Sequence, residues 1–271
     1  MRRTAIWVFV FGTAILAWGY WSATRDPIVR TARVHVANWP DGAPPVRVAL
    51  LSDVHVAGPD MPPSRAARLM RQVSALKPEL VLIAGDMISE KQLATKIYSA
   101  AEAVEPLRQL RAPLGVIAVL GNHDYWADEN GFRIALRNAG IHVLNNEAVQ
   151  RGPIVVGGIG DEITGHANIR TTYQAMAGFA GPRILVTHDP DIIPDLPVPV
   201  AAVFAGHTHC GQARWPWGTP IANVSRYGMR FQCGDITDAG QRLFVTAGLG
   251  TSVIWLRYGT RPDVWLVTLG P

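Results

Sequence analysis

Seven residues with metal-binding side chains follow short apolar segments of this chain. They are Asp53, His55, Asp86, Asn122, His188, His207 and His209. The preceding segments, VALLS, LVLIAG, VIAVLG, ILVT and VFAG, are typical of buried strands. Carboxylate, amide and imidazole groups bind divalent metals, and sites in open α/β sheets form at the carboxyl ends of strands. The sequence therefore predicts a cluster of ligands large enough for two metal ions.

The spacing within the motifs supports this prediction more strongly than any single residue does. The pairs in Asp53-x-His55 and His207-x-His209 would point to one side of an extended chain. His188 alone could be a hydrogen-bonded residue at a strand end, and Asp53 or Asp86 alone could cap a helix. However, five of the eight histidines lie in these motifs. Taken together, the motifs favour a metal site.

The elements that must position these residues are predicted to be alternating strands and helices in the first half of the chain, followed by a half that is rich in strands. Strands are predicted near 46–52, 80–84, 115–120, 183–187 and 200–205. Helices are predicted near 64–77, 90–111, 130–138 and 171–178. Short strands fill 142–159, and the chain after 211 has short strands interrupted by Gly and Pro. This order predicts an α/β fold in which a β-sandwich of two sheets is flanked by helices.

The N-terminal segment is long and apolar. Residues 4–21 carry no charge, and this length approaches the ~20 residues of a helix that spans a bilayer. Trp18, Tyr20 and Trp21 cluster at its end, as in an interfacial aromatic belt. We predict an uncleaved single-pass membrane anchor over 1–25, with a cleaved signal peptide as the alternative. Arginines on both sides leave the side of the membrane open.

The rest of the chain is predicted to contain a linker with an edge strand (26–45) and one domain (46–271). Hydrophobic residues make up 48% of the chain and charged residues 17%, so a sizeable core can form. The net charge of +4 is scattered, which gives nucleic-acid binding little support and suits an anionic partner or a phospholipid surface. No obligate protein partner is inferred.

The chain has two cysteines, Cys210 and Cys233. They form no CxxC pair, which excludes a zinc ribbon or a thioredoxin-like site. We expect two free thiols, while a disulfide, which would require an oxidising compartment, stays open. Cys210 follows His209 directly, but the other ligands already suffice for two ions, so a thiolate ligand is less favoured.

The ordered motifs D-x-H, G-D, G-N-H-D, H and G-H-T-H resemble those of the calcineurin-like metallophosphoesterases over residues 46–271. This resemblance implies the four-layer fold of that family. The apolar N-terminus and the segments GHTHCGQARWPWG, SRYG and GLGTS resemble a branch of membrane-anchored bacterial phosphoesterases. That branch includes enzymes that cleave UDP-2,3-diacylglucosamine in lipid A biosynthesis. Family members often have Gly where this chain has Cys210.

The resemblance implies how the ligands are divided between two divalent ions. One ion would be held by Asp53, His55, Asp86 and His209, and the other by Asp86, Asn122, His188 and His207. Asp86 would bridge them, with one carboxylate oxygen on each ion. Manganese is the first choice, and Fe, Zn, Ni and Co are alternatives, because mixed nitrogen and oxygen ligands do not select one metal.

The implied reaction is hydrolysis of a phosphodiester or pyrophosphate bond by a hydroxide that bridges the two ions. His123 would act as a general acid or stabilise charge at the leaving group, and Asp124 would orient His123. An amphiphilic substrate, such as a nucleotide-linked lipid, is expected from the anchor. Trp215, Trp217 and Trp255 could contact it, although core packing is favoured for each. The alternatives are a broad phosphodiesterase for soluble substrates and a non-catalytic metal-dependent module that binds the cell envelope.

Overall fold

The computed structural model describes residues 2–271, in which two six-stranded sheets pack face to face. The strands of the described chain are β1 (Ile28–His35), β2 (Val46–Leu51), β3 (Leu80–Ala84), β4 (Val116–Val119), β5 (His142–Val143), β6 (Glu147–Arg151), β7 (Ile154–Gly158), β8 (Arg183–Val186), β9 (Ala202–Ala205), β10 (Gly234–Asp238), β11 (Gln241–Val245) and β12 (Asp263–Gly270). The α-helices are α1 (Arg2–Thr24), α2 (Pro63–Ala75), α3 (Ala100–Val104), α4 (Asn122–Asn138) and α5 (Ile169–Ala177).

Both sheets are mixed, and their central strands are parallel. The first sheet has the order β1-β12-β2-β3-β4-β5, and β2, β3 and β4 run parallel to one another. The second has the order β10-β11-β9-β8-β7-β6, in which β7, β8, β9 and β11 are parallel. Strands β3 and β9 are buried along their whole length, which explains their unbroken apolar sequences.

The main core lies between the sheets, and two further cores lie under the outer helices. Leu50 and Leu82 of the first sheet belong to the same apolar cluster as Phe204 and Phe244 of the second. The rings of Phe204 and Phe244 stack with their centroids 5.5 Å apart. Full burial of such a side chain stabilises the fold by about 1.5–3 kcal/mol. This packing gives the strand ends a rigid base.

The predicted fold class, two sheets flanked by helices, is confirmed. The predicted helix over 90–111 is wrong, because α3 begins only at Ala100 and continues as a 3-10 turn over Glu105–Gln109. Ser99 caps α3 with a capping box, so the helix begins there. Helix α4 begins at Asn122, inside the predicted motif, and a kink at Asp128 (φ −168°, ψ 80°) separates this first part from the part that overlaps the predicted helix near 130–138.

Helix α1 is the only described helix that is long and apolar enough to span a bilayer. A signal sequence meets the same criteria of length and composition. Most of its surface is exposed, but Gly19, Ser22 and Ala23 are buried against the domain. The segment predicted as a linker with an edge strand contributes β1, which pairs in parallel with β12 along its whole length.

Candidate metal centre

The loops that carry the seven predicted ligands meet where parallel strands of both sheets end. Asp53, Asp86 and Asn122 follow β2, β3 and β4 of the first sheet. His188 follows β8, and His207 and His209 follow β9 of the second sheet. The structure thus brings the seven side chains together, and metal binding by them stays a prediction.

Asp53, His55 and His209 form the first group. Asp53 Oδ1 lies 3.4 Å from His209 Nε2 and 3.8 Å from His55 Nε2. The other carboxylate oxygen, Oδ2, accepts hydrogen bonds from the Ser52 hydroxyl and from the backbone N–H of His207. Oδ1 is buried and has no hydrogen-bond partner within residues 2–271. A buried carboxylate oxygen that faces two imidazoles in this way is suited to a cation.

His188 is at the centre of the second group. Its Nε2 lies 3.0 Å from Asn122 Oδ1, 3.2 Å from His207 Nδ1 and 3.2 Å from Asp86 Oδ2. Four side chains from both sheets therefore present ligand atoms to one point.

Asp86 joins the two groups through a single oxygen. Its Oδ2 lies 3.5 Å from His55 Nε2 and 3.2 Å from His188 Nε2. Oδ1 instead accepts a hydrogen bond of 3.0 Å from the backbone N–H of His123. The expectation that each oxygen would serve one ion is therefore wrong, since Oδ2 faces both groups.

Backbone carbonyls determine which nitrogen of His55 and of His188 can bind a metal. His55 Nδ1 lies 2.9 Å from the Ile88 carbonyl oxygen, and His188 Nδ1 lies 2.7 Å from the Ala84 carbonyl oxygen. A carbonyl only accepts, so each Nδ1 carries a hydrogen, and a metal can bind either ring only at Nε2. Such contacts orient metal-binding histidines.

Protonation supports this assignment for three of the four histidines. Burial lowers the pKa of His55 and of His209 well below the ordinary value, and burial together with the nearby charge of His188 lowers the pKa of His207 to about 3. These three rings are therefore neutral, as ligands must be. Burial opposes protonation of His188, but the neighbouring Asp86 carboxylate raises the pKa of that ring well above the ordinary value. Burial opposes ionisation of Asp86, but the neighbouring His188 lowers the pKa of that carboxyl. Burial raises the pKa of Asp53 to about 7.

The separations between ligand atoms also fit bound metals. Ligands at the usual distance of about 2.0–2.2 Å from a metal lie roughly 3–3.5 Å from one another. The shortest separations in the two groups are 3.0 Å between His55 Nε2 and His209 Nε2, and 3.0 Å between His188 Nε2 and Asn122 Oδ1. The residues present therefore fit two divalent cations that share Asp86.

Five of the seven residues have left-handed backbone conformations. The φ angles are +48° at Asp53, +49° at His55, +57° at Asp86, +65° at His207 and +50° at His209. Such conformations cost about 1–3 kcal/mol each and cluster at functional sites. The side chains of Asp53 and His55, and those of His207 and His209, thus converge through tight turns. The extended chain that was predicted for these two motifs is not observed.

Close approach of the loops depends on glycine. A Cβ atom added to Gly206 would lie 2.5 Å from Asp53 Oδ2, and one added to Gly85 would lie 2.7 Å from His188 Nδ1. Gly85 also has a φ angle of +81°. A side chain at either position would therefore push apart ligand loops of the two sheets.

His123 stands beside the two groups. Its ring centroid lies 4.9 Å from that of His55 and 5.2 Å from that of Trp126. The ring lines a cavity of about 410 Å³ that also reaches Asp86. His123 Nδ1 is buried and makes no hydrogen bond to any described residue.

Asp124 is placed differently from our expectation. Its buried carboxylate accepts hydrogen bonds from the backbone N–H groups of Asp86 (2.9 Å), Met87 (2.8 Å) and Gly121 (3.0 Å), and it makes no hydrogen bond to the His123 ring within the described chain. Burial and the charge of Asp86 raise the pKa of Asp124 to about 8. Asp124 thus holds the Asp86 loop against the start of α4, and orientation of His123 by Asp124 is wrong.

The cavity beside His123 is largely apolar. Its apolar lining includes Trp126, Ile221, Val224, Val253 and Ile254.

The prediction that Trp215, Trp217 and Trp255 pack in the core is wrong. Trp215 and Trp217 are 47% and 71% exposed and stack on each other. Trp255 packs against Tyr20 of α1, with ring centroids 5.7 Å apart.

Cys210 and Cys233 form a disulfide, so the expectation of two free thiols is wrong. The bond connects the turn directly after His209 to a segment 23 residues further along the chain. The sequence shows no signal for this pairing, because the two positions approach only when the chain after β9 folds back.

Sequence reasoning also missed Arg257, which is fully buried. Its guanidinium donates hydrogen bonds to the carbonyls of Ala247, Gly248 and Gly250 in the loop after β11. In that loop, the Gly250 N–H donates to the Asp53 carbonyl at 2.7 Å. Arg257 therefore shapes the loop that packs on Asp53. No local motif marks this arginine.

Residues 46–211 match the model of the family described as calcineurin-like phosphoesterase. The chain belongs to this family. It is 28% identical to the uncharacterized metallophosphoesterase YkoQ of Bacillus subtilis, over 89% of this chain and 90% of that protein. It is 29% identical to the zebrafish (Danio rerio) transmembrane protein with metallophosphoesterase domain, over 99% of this chain and 63% of that relative.

A solved structure, the 5'-nucleotidase precursor from Thermus thermophilus, aligns with 83% of this chain and 55% of its own, at 14% identity and a TM-score of 0.46. The family match confirms two predictions: the resemblance to the calcineurin-like metallophosphoesterases, and the enzyme class. The protein is a metal-dependent phosphoric ester hydrolase.

Proposed function

We propose that this enzyme hydrolyses phosphodiester or pyrophosphate bonds of an amphiphilic substrate at a membrane surface. The observation that carries the proposed chemistry is the position of Asp86 Oδ2, within 3.5 Å of His55 Nε2 and 3.2 Å of His188 Nε2. One carboxylate oxygen shared by two groups of ligands supports a dinuclear site.

Asp53, His55 and His209 would hold one ion, Asn122, His188 and His207 the other, and Asp86 both. When bound, two divalent cations would activate water and offset the charge that develops on the phosphoryl group. The chain supplies imidazoles whose Nδ1 atoms are held by backbone carbonyls, so that Nε2 faces the site, and it supplies a rigid base of strands. These features keep the ligands in place without reorganisation during the reaction. We favour manganese, with Fe, Zn, Ni and Co as alternatives.

We assign His123 the role of proton donor to the leaving group. Its ring lines the cavity next to the ligands, beside Asp86 and Asn122. A ring in this position can present a nitrogen to a substrate oxygen in the cavity. Asp124 would then act on His123 only indirectly, through the loop that both share with Asp86.

The cavity supports an amphiphilic substrate. The ligand groups form its polar end, while Trp126, Ile221, Val224 and Val253 are all more than half exposed at its apolar part. Exposed apolar side chains grouped beside a catalytic centre favour a ligand with an apolar portion. Helix α1 also supports a substrate at the membrane, because the burial of Gly19, Ser22 and Ala23 against the domain favours a retained anchor over a cleaved signal peptide.

The disulfide supports a location of the catalytic domain on the oxidising side of the membrane, since structural disulfides persist in such compartments. On that side, a phosphate-bearing lipid is a better candidate than a nucleotide-linked lipid made in the cytosol. A soluble-substrate phosphodiesterase and a non-catalytic binding module remain the competing functions.

Hydrolysis of bis(p-nitrophenyl) phosphate by the full-length protein in detergent tests the chemistry. We expect activity that requires a divalent metal, and Asp86→Ala should abolish it and lower the bound metal content. Asp41→Ala, which removes an exposed carboxylate, is the matched control and should retain both. Absence of activity with Mn, Fe, Zn, Ni and Co, with metal still bound, would favour the binding module.

A further inference from the structure

A second cavity, of about 380 Å³, lies where the last turns of α1 meet the catalytic domain. Trp18 and Ser22 of α1 form part of its wall, and the disulfide cysteines form another part. Four of its lining residues are arginines, namely Arg25, Arg30, Arg214 and Arg261. No acidic residue of the described chain lines it.

Most of this positive charge is not balanced by the protein. Arg30 pairs with Asp263 at 2.5 Å, and it is the only one of the four with a carboxylate within 4.0 Å among residues 2–271. Arg25 lies over the Trp21 ring at 4.3 Å. Arg261 donates to the backbone carbonyl of Asp26. Arg214 donates to the backbone carbonyls of Cys210 and Gly218 and to Gln232 Oε1, all of which are uncharged acceptors. The cavity therefore attracts an anion.

The hydrogen-bonding capacity of these arginines suggests the type of anion. A guanidinium group has five N–H donors and matches the geometry of a phosphate oxygen pair. Arg25 makes no side-chain hydrogen bond within the described chain, and Arg261 uses only Nε and one terminal nitrogen. Several donors thus remain free for a ligand in the cavity.

The depth of the cavity along α1 indicates where the phosphate comes from. The aromatic residues Trp18 and Trp21 and the cationic Arg25 are the residue types found where a spanning helix leaves the hydrocarbon region. Lipid headgroups occupy this depth, and basic pockets beside membrane helices bind them.

We propose that this cavity binds a phosphate monoanion or diester, and that its source in the membrane is the headgroup of an anionic phospholipid. The lipid source rests on the proposed membrane placement of α1, whereas phosphate binding rests only on the arginines. Bound lipid would fix the tilt of the domain on the bilayer. The cavity wall includes Cys210, which directly follows the candidate ligand His209. The cavity and the metal centre are therefore neighbours, and the tilt of the domain would also set the direction in which the metal centre faces the bilayer.

The test measures retained phospholipid and does not use hydrolysis, so it is independent of the proposed catalytic activity. Full-length protein is reconstituted in phosphatidylcholine nanodiscs with and without phosphatidylglycerol, extracted in detergent, and analysed by native mass spectrometry. The test variant is Arg25→Gln/Arg261→Gln. The control is Arg137→Gln/Arg170→Gln, which removes the same charge from exposed positions outside the cavity.

We expect the test variant to retain at least about tenfold less phosphatidylglycerol than the parent, and the control to match the parent. Circular dichroism and the melting temperature verify that both variants fold. Equal retention in the parent and a folded test variant would overturn the proposal. Arg25→Lys/Arg261→Lys provides a second comparison, since a point charge without the planar fork should restore binding only in part.

Inorganic phosphate distinguishes the two sources. If phosphate alone raises the melting temperature of the parent but not of the test variant, and phosphatidylglycerol is not retained, the cavity is a free-phosphate site and the lipid source is wrong. The mass of the intact chain reports separately on α1. If the mature protein lacks α1, the proposed membrane placement is wrong, and a lipid headgroup is then excluded as the source of the phosphate.

Discussion

Asp53→Asn should stabilise the metal-free protein while it weakens metal binding. The carboxylate of Asp53 is fully buried, and Oδ1 has no hydrogen-bond donor within the described residues. Without a cation, its charge therefore destabilises the folded chain. An Asn amide at this position can keep its oxygen towards Ser52 and the His207 N–H, and it removes the buried charge.

The expected size follows from the pKa of Asp53. Burial raises it from 3.8 to about 7, so the folded chain binds this proton more tightly than the unfolded chain does. The penalty is absent below pH ~4, grows as the pH rises, and is complete above pH ~7. At about 1.36 kcal/mol per pKa unit, it reaches about 4 kcal/mol. For a protein of this size, that corresponds to a rise in melting temperature on the order of 10 °C.

The assay is thermal unfolding of the full-length chain in detergent with a chelator, at pH ~4 and at pH ~8, to match the two ends of the titration. Asp60→Asn is the control, because Asp60 is also buried but pairs with Lys91 at 2.6 Å. Loss of that carboxylate strands a buried ammonium and should destabilise by about 3–5 kcal/mol. If Asp53→Asn lowers the melting temperature at pH ~8 as Asp60→Asn does, the reasoning about an uncompensated charge is refuted.

Three further changes test other parts of the site. His123→Ala should lower kcat for bis(p-nitrophenyl) phosphate by about 10²–10⁴-fold with unchanged metal content, and parental turnover would exclude the role of proton donor. Cys210→Ser/Cys233→Ser should lower the free energy of unfolding by about 3 kcal/mol. A reductant should cause the same loss in the parent and no further loss in the variant. Arg257→Met should reduce metal content measured by elemental analysis, because the loop on Asp53 loses its hydrogen-bond donor; full occupancy in the folded variant would contradict this.

The sequence predicted the positions of the candidate ligands because the signal is local: an apolar strand followed at once by Asp, Asn or His. It could not predict features that depend on distant contacts. The disulfide and the burial of Arg257 require the chain after β9 to fold back on α1 and on the Asp53 loop. The loop before α3 is held by the pair of Lys91 with Asp60, 31 residues apart, where helical patterning suggested a helix.

Helix α1 and the candidate metal centre are connected by a chain of hydrogen bonds. Arg257 accounts for this connection, because its backbone N–H donates to the Gly19 carbonyl of α1 at 3.0 Å while its guanidinium holds the loop after β11. That loop donates to the backbone of Asp53. Left-handed residues such as Asp53 persist only where surrounding structure over-determines them. The end of α1 therefore belongs to the packing that supports this ligand, so the helix that would place the enzyme at a bilayer also helps to shape its catalytic site.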